Sequence, residues 1–164
     1  MSNFVEKKAT VTSTAIFNSK ETERFLLKFE WDHRKKSALI LMTAPSSADH
    51  LTMDQTTMLC RNGAVKNDFG SLSIVNLTSS IYGDDPKTSK QNKEIILQEC
   101  DKADCILVCF GRGTGFQEEK SAMLTELVPY KKKLFTLVDR KGLLFAHPLS
   151  PLAHEFTIEP LVLD

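Results

Sequence analysis

Polar and glycine-rich segments follow several apolar runs of this chain, and they contain the residues best suited to chemistry. The Asn76 amide both donates and accepts, so it suits the edge of a nucleobase. Arg112 between Gly111 and Gly113 suits an anion, and His147 suits an anionic oxygen or a proton transfer. Asp49, Asp54 and His147 are the candidate catalytic residues, and the candidate ligand-binding residues are Pro45, Ser46, Ser47, Asn76, Gly111, Arg112 and Gly113.

Each candidate also has a structural interpretation, which the sequence leaves open. Asn76 directly after an apolar run is equally typical of a turn, and two glycines in a turn are a weak signal. His147 before Pro148 equally suits a loop closed by a backbone contact. Asp49 and Asp54 lie beside a predicted helix start, where the helix dipole favours carboxylates. The function therefore depends on whether these residues come together.

Other chemistries fit the sequence poorly. Ser46 and Ser47 follow Pro45 without the Gly-x-Ser-x-Gly elbow of a serine hydrolase. The four cysteines lack the C-x-x-C spacing of structural zinc sites, so we expect buried thiols and no metal or other cofactor (Cys60, Cys100, Cys105 and Cys109).

The chain has 164 residues, with 21 Lys and Arg against 21 Asp and Glu, which predicts one soluble domain over 1–164. Zero net charge argues against broad binding of a phosphate backbone. The basic runs His33–Lys36 and Lys131–Lys133 are expected to be solvated, and Trp31 to fill a core edge. The absence of an apolar run of about 20 residues or of a leader-like start predicts a cytoplasmic protein without membrane contact.

Alternating apolar patterns predict strands separated by helices. Residues 1–32 are expected to form a hairpin extension, with strands over Thr10–Phe17 and Glu23–Trp31. Capping spacings, in which each side chain satisfies a free backbone N–H, predict helices at Thr52/Gln55, Thr88/Gln91 and Thr114/Gln117. The remaining predicted strands are Ser37–Thr43, Ser71–Asn76, Cys105–Phe110 and Lys133–Asp139, and the first predicted helix covers Met53–Val65.

This alternation predicts an α/β fold, with three layers around a four-stranded parallel sheet preceded by the hairpin. Ligands of such sheets bind outside the carboxyl ends of the strands, where the loops converge. Apart from Asp54, at the start of the first predicted helix, the candidate residues lie at the ends of predicted strands or in the loops that follow them. One cleft is therefore expected.

Ordered motifs give the chain a family resemblance. Arg24, Trp31-Asp32, Ala44–Asp49, Val75-Asn76-Leu77 and His147-Pro148-Leu149, with Asp54, Thr56 and Gly111, resemble a bacterial and phage family, domain of unknown function 1643. The segments Ile74–Thr78, Cys109–Gly111 and His147–Leu152 are similar, more distantly, to signature segments of uracil-DNA glycosylases.

This second resemblance implies a uracil-DNA-glycosylase-like fold and specific roles. Asn76 would read the amide edge of the base, and His147 would stabilise negative charge on the departing base. The residue that positions the attacking water in that superfamily corresponds to Ala44, which cannot do so. Asp49 or Asp54 would have to replace it.

Three functions follow as alternatives. The first is binding of a nucleobase or nucleotide with hydrolysis of an N-glycosidic bond, on a nucleotide or on single-stranded nucleic acid. The second is binding of such a ligand without chemistry, which Ala44 favours. The third is a module that captures a partner protein, for example as an inhibitor. The sequence does not distinguish oligomeric states.

Overall fold

A computed structural model describes residues 3–83 and 89–164. These residues form an α/β fold with one seven-stranded mixed sheet in the order β1-β2-β4-β3-β5-β6-β7. The strands are β1 (Thr12–Phe17), β2 (Arg24–Glu30), β3 (Ser37–Met42), β4 (Ser71–Asn76), β5 (Cys105–Val108), β6 (Leu134–Val138) and β7 (Thr157–Pro160). The helices are α1 (Gln55–Lys66), α2 (Lys90–Lys102) and α3 (Gln117–Leu127), and α3 continues into a 3₁₀ helix over Val128–Lys133.

The four central strands are parallel to one another. Strand β3 pairs with β4 on one side and β5 on the other, and β5 pairs with β6. Their apolar side chains are buried on both faces, as expected for strands covered by helices on each side. The α/β class predicted from the sequence is confirmed.

The sheet is wider than predicted, because antiparallel strands extend it at both edges. The hairpin is part of the sheet and not an extension of it, since β2 pairs with β4 along most of its length and is buried on both faces. Strand β7 pairs with β6 and was not predicted. Its four residues include two exposed polar side chains and a proline, so they carry no clear alternation.

Side chains alternate between two cores, one on each face of the sheet. Ala38, Ile40 and Met42 face the core that contains Cys60 and Ala64 of α1. Leu39 and Leu41 face the core that contains residues of α2 and α3, among them Ile96, Met123 and Leu127.

All four thiols are buried and free, which confirms the structural interpretation of the cysteines. Burial raises the pKa of Cys100, Cys105 and Cys109 to about 12, and raises that of Cys60 as well. Buried neutral thiols behave as small apolar side chains. Trp31 also packs at the core edge, and its indole donates to the Phe69 carbonyl.

The helices begin differently from the predicted caps. Asp54, not Thr52, caps α1 and accepts the Thr57 amide at 2.8 Å. Phe116 precedes α3 in the left-handed region without a side-chain cap, so the predicted Thr114/Gln117 cap is wrong. Each predicted capping residue lies two positions too early, because the backbone becomes helical only at Gln55 and Gln117. Ser89 caps α2, and the predicted cap Thr88 lies outside the described residues.

In the described part of the chain, no helix is both long enough and apolar enough to cross a membrane.

Candidate functional site

Backbone and side-chain contacts hold the loops at the carboxyl ends of the parallel strands together. The Thr43 hydroxyl, after β3, donates to the Phe110 carbonyl after β5 at 3.0 Å. The Thr78 amide, after β4, donates to the Thr43 carbonyl at 3.0 Å, and the Gly111 amide donates to the Phe145 carbonyl at 2.7 Å. The loops that carry the candidate residues thus form one edge of the molecule.

Arg24 connects the first two of these loops from beneath the surface. Its side chain is 1% exposed, and Nη1 donates to the Ala48 carbonyl at 2.7 Å and to the Ser46 carbonyl at 3.3 Å. Nη2 donates to Oδ1 of Asn76 at 3.2 Å. Burial lowers the pKa of Arg24, and the negative charge of Asp54 partly offsets this. The guanidinium is therefore a buried cation that holds a loop against the end of a strand.

A bulge in the hairpin accounts for the direction of this side chain. Ile16 pairs with Leu26, but Phe17 pairs with Arg24, so Phe25 is an extra residue in β2. An extra residue shifts the alternation of side chains between faces. Arg24 consequently reaches Asn76 and Ala48 instead of following Leu26 into the core of α2 and α3.

Asn76 is the last residue of β4 and is 1% exposed. Its Oδ1 accepts from Arg24, while its Nδ2 has no hydrogen-bond partner among residues 3–83 and 89–164. Asn92 of α2 supports the end of the strand, since its Nδ2 donates to the carbonyls of Asn76 at 2.9 Å and Leu77 at 3.2 Å. Asn76 is thus a fixed amide with an unused donor, which differs from the turn interpretation.

The two aspartates stabilise different parts of the backbone, Asp54 the start of α1 and Asp49 the loop before it. Burial raises the pKa of Asp54, but hydrogen bonds from the Ser46 hydroxyl and the Thr57 amide outweigh burial and lower it overall. Asp49 accepts the Thr52 and Leu51 amides on one oxygen, each at 2.7 Å, and these bonds lower its pKa. Both carboxylates are ionised near neutral pH and are weak bases.

His147 is half-buried and has a defined tautomer. Its Nδ1 accepts the Leu149 amide at 3.1 Å, so in the neutral ring the proton is on Nε2. Burial lowers the pKa of this imidazole, which favours the neutral form. A Cβ added to Gly111, which has a φ of +74°, would lie 3.3 Å from the Cβ of His147. The loops after β5 and β6 therefore meet at this histidine.

The remaining candidates lie along the same edge with more exposure. Pro45 and Ser46 are half-buried, whereas Ala44 and Ser47 are exposed. Arg112 is mostly exposed and forms an ion pair with the buried carboxylate of Asp139. No group of three or more metal-ligating side chains occurs in the described ranges.

Sequence reasoning missed three residues of this edge. Arg24 was part of the family resemblance but had no role, because no local pattern shows that a bulge turns it toward Asn76. Asn92 and Lys120 lie inside helices, where a polar residue is ordinarily solvated, yet both are buried. A polar residue on the buried stripe of a helix is the only signal that would have found them.

Comparison with known proteins gives one match. The family model described as a protein of unknown function (DUF1643) matches residues 24–149. No curated protein and no solved structure matches the chain. The matched range begins at Arg24 and extends past His147, so it contains every candidate residue of the site.

Proposed function

Because this chain belongs to the DUF1643 family, whose function is unknown, we propose a function from the site itself: the carboxyl edge of the parallel strands binds a nucleobase or nucleotide. The observation that carries this proposal is the Nδ2 of Asn76, a buried donor without a partner among the described residues. Leaving such a donor unpaired costs about 1–3 kcal/mol. A carbonyl oxygen of a base would pair with it.

His147 supplies a second donor to the same edge. Its Nε2–H is free to donate because Nδ1 is occupied by the Leu149 amide. Two donors, one at the end of a strand and one in a loop, suit a ligand with several carbonyl or ring-nitrogen acceptors, which is the chemistry of a nucleobase.

A uracil-DNA-glycosylase-like fold is the second part of the proposal. It is supported by the positions of the two donors relative to the parallel strands. Asn76 ends β4, the second parallel strand along the chain, and His147 follows β6, the fourth. The resemblance noted in the sequence implies the same placement for the base-reading asparagine and the histidine.

Asn76→Asp is expected to abolish ligand binding while the protein remains folded. The carboxylate keeps the acceptor that Arg24 needs, but it has no N–H to donate. The measurement is thermal unfolding of the wild type and the variant with free bases, nucleosides, nucleotides and uracil-bearing single strands. A ligand at about a hundred times its Kd stabilises by roughly 2.7 kcal/mol, or roughly 5–10 °C in a chain of this size. Only the wild type should show this shift.

Asn62→Asp is the matched control, because it makes the same chemical change at an exposed position of α1. It should keep the full ligand-induced shift. An equal shift in the wild type and in Asn76→Asp would remove Asn76 from the site. No shift with any member of the panel would contradict nucleobase binding and favour the capture of a partner protein.

Hydrolysis of an N-glycosidic bond is the second candidate function, and the tautomer of His147 favours it. In that reaction water forms a bond to the anomeric carbon, and the bond to the base breaks with its electron pair leaving on the base. The proton that the water loses passes to solvent, and the departed base then takes up a proton. The Nε2–H of a neutral His147 would stabilise the resulting anion. Activation of the water has less support, because Ala44 has no polar side chain and the carboxylates of Asp49 and Asp54 already accept backbone amides.

For a hydrolase, His147→Ala should lower the rate of base release by about 100-fold or more, the usual cost of removing one such donor. Release of free base from deoxyuridine nucleotides and single strands, followed by chromatography, measures this rate. His33→Ala, an exposed histidine in the loop between β2 and β3, should release base at the wild-type rate. If the wild type binds these ligands but releases no base, binding without hydrolysis is the function.

A further inference from the structure

A cavity of about 240 Å³ opens between the loop after β5 and helix α3. Its lining includes Gly111, which approaches His147, and Phe110, whose ring stacks with that of Phe145 at a centroid distance of 6.2 Å. The volume is below the roughly 300–1,000 Å³ of a complete small-molecule pocket. The cavity would therefore hold one group of a larger ligand that also occupies the proposed base site.

Lys120 lies in the wall of this cavity with unmet hydrogen-bonding capacity. The residue is only 8% exposed, and its ammonium donates to the Gly113 carbonyl at 2.8 Å. Within the described ranges it has no second acceptor and no ion pair. Lys133 shows the contrast, since its ammonium donates to the carbonyls of Cys100, Asp101 and Ala103 at the end of α2. An ammonium has three donors, so Lys120 retains two for a ligand that enters the cavity.

Arg112 adds a second cation to the lining, and one carboxylate holds it there. Asp139 accepts the Leu143 amide at 3.0 Å and the Lys141 amide at 2.8 Å, and it pairs with one nitrogen of Arg112. These bonds lower the pKa of Asp139, so it is ionised at neutral pH. Two cations against this single buried carboxylate leave the cavity with positive charge.

We propose that this cavity binds the phosphate group of a nucleotide, with Lys120 and Arg112 as its ligands, so that the protein prefers nucleotides to nucleosides and free bases. Phosphate oxygens would accept hydrogen bonds from the ammonium of Lys120. They would also accept hydrogen bonds from the guanidinium N–H groups of Arg112 that do not donate to Asp139. This inference rests on the proposed function, because the base of that nucleotide would occupy the proposed site at Asn76 and His147.

The test compares the affinities of a nucleoside series with those of the matching 5′-monophosphates, by calorimetry at fixed ionic strength. The probes are uridine, cytidine, adenosine, guanosine, their monophosphates and inorganic phosphate. At least one monophosphate is expected to bind about tenfold or more tightly than its nucleoside. Lys120→Met should bring the two affinities to within about twofold, while Lys131→Met, at an exposed position of the 3₁₀ helix, should keep the preference.

Arg112→Gln provides the second variant, since Arg112 is mostly exposed, glutamine can still donate, and Asp139 keeps the Lys141 and Leu143 amides as donors. It should reduce the preference for the monophosphate by severalfold. Equal binding of nucleoside and monophosphate by the wild type would overturn the phosphate site and leave the base site standing. Retention of the full preference in both Lys120→Met and Arg112→Gln would also overturn it. Absence of binding by every nucleoside and nucleotide would overturn the proposed function, and this inference with it.

Discussion

Replacing Arg24 with Met is expected to lower the free energy of unfolding by about 3–5 kcal/mol, the usual cost of removing one partner from a buried charged network. Methionine fills much of the same volume but cannot donate. The Ala48 carbonyl and Oδ1 of Asn76 would lose their donors, and the carboxylate of Asp54 would lose a neighbouring cation. The loop after β3 would then be released from the end of β4.

Chemical denaturation of the wild type and of Arg24→Met measures this loss. Arg34→Met is the matched control, because that arginine is exposed and its ion pair with Asp32 is at the surface. It should change stability by no more than about 1 kcal/mol. Arg24→Lys should fall between the two, since an ammonium keeps the charge but cannot reach both the loop and Asn76. A loss below about 1 kcal/mol in Arg24→Met would show that Arg24 does not hold the site together.

Gly70→Ala is expected to cost about 3 kcal/mol or more, because the added methyl group has no space. An added Cβ would lie 1.8 Å from the Asp32 carbonyl oxygen and 2.8 Å from the Cβ of Lys35. Gly70 cannot move away easily, since its amide donates to the Lys36 carbonyl at 2.8 Å and its carbonyl accepts the Trp31 amide at 3.0 Å. The substitution would force apart the turn after β2 and the start of β4.

Thermal and chemical unfolding of Gly70→Ala should show this loss directly. Gly115→Ala makes the same change where nothing lies within 4 Å of the added Cβ, and it should be nearly neutral. Similar stabilities of the two variants would contradict the close packing at Gly70. This control separates the clash from the general effect of replacing glycine on the unfolded chain.

Hydrophobic periodicity explains which parts of the fold could be predicted from the sequence. Runs such as Ser71–Asn76 are apolar enough to be buried on both faces, so their place in a helix-covered sheet follows from local composition. The wider sheet did not follow, because β7 and the pairing of β2 with β4 depend on strands distant in sequence. The helix starts also differ, since a capping residue acts only where the backbone lets its side chain reach a free amide, as Asp54 does.

The sequence by itself determined the α/β class, the central strands, the burial of the cysteines, the strand end at Asn76 and the loops that carry Arg112 and His147. These depend on composition and on the order of apolar and polar residues along the chain. Only the tertiary structure decided the partners of those residues. Arg24 meets Asn76 across 52 positions of sequence through a bulge, and Lys120 is buried where α3 packs beside a loop. Hydrogen bonds and buried charges depend on distance and direction in space, and no local pattern encodes either.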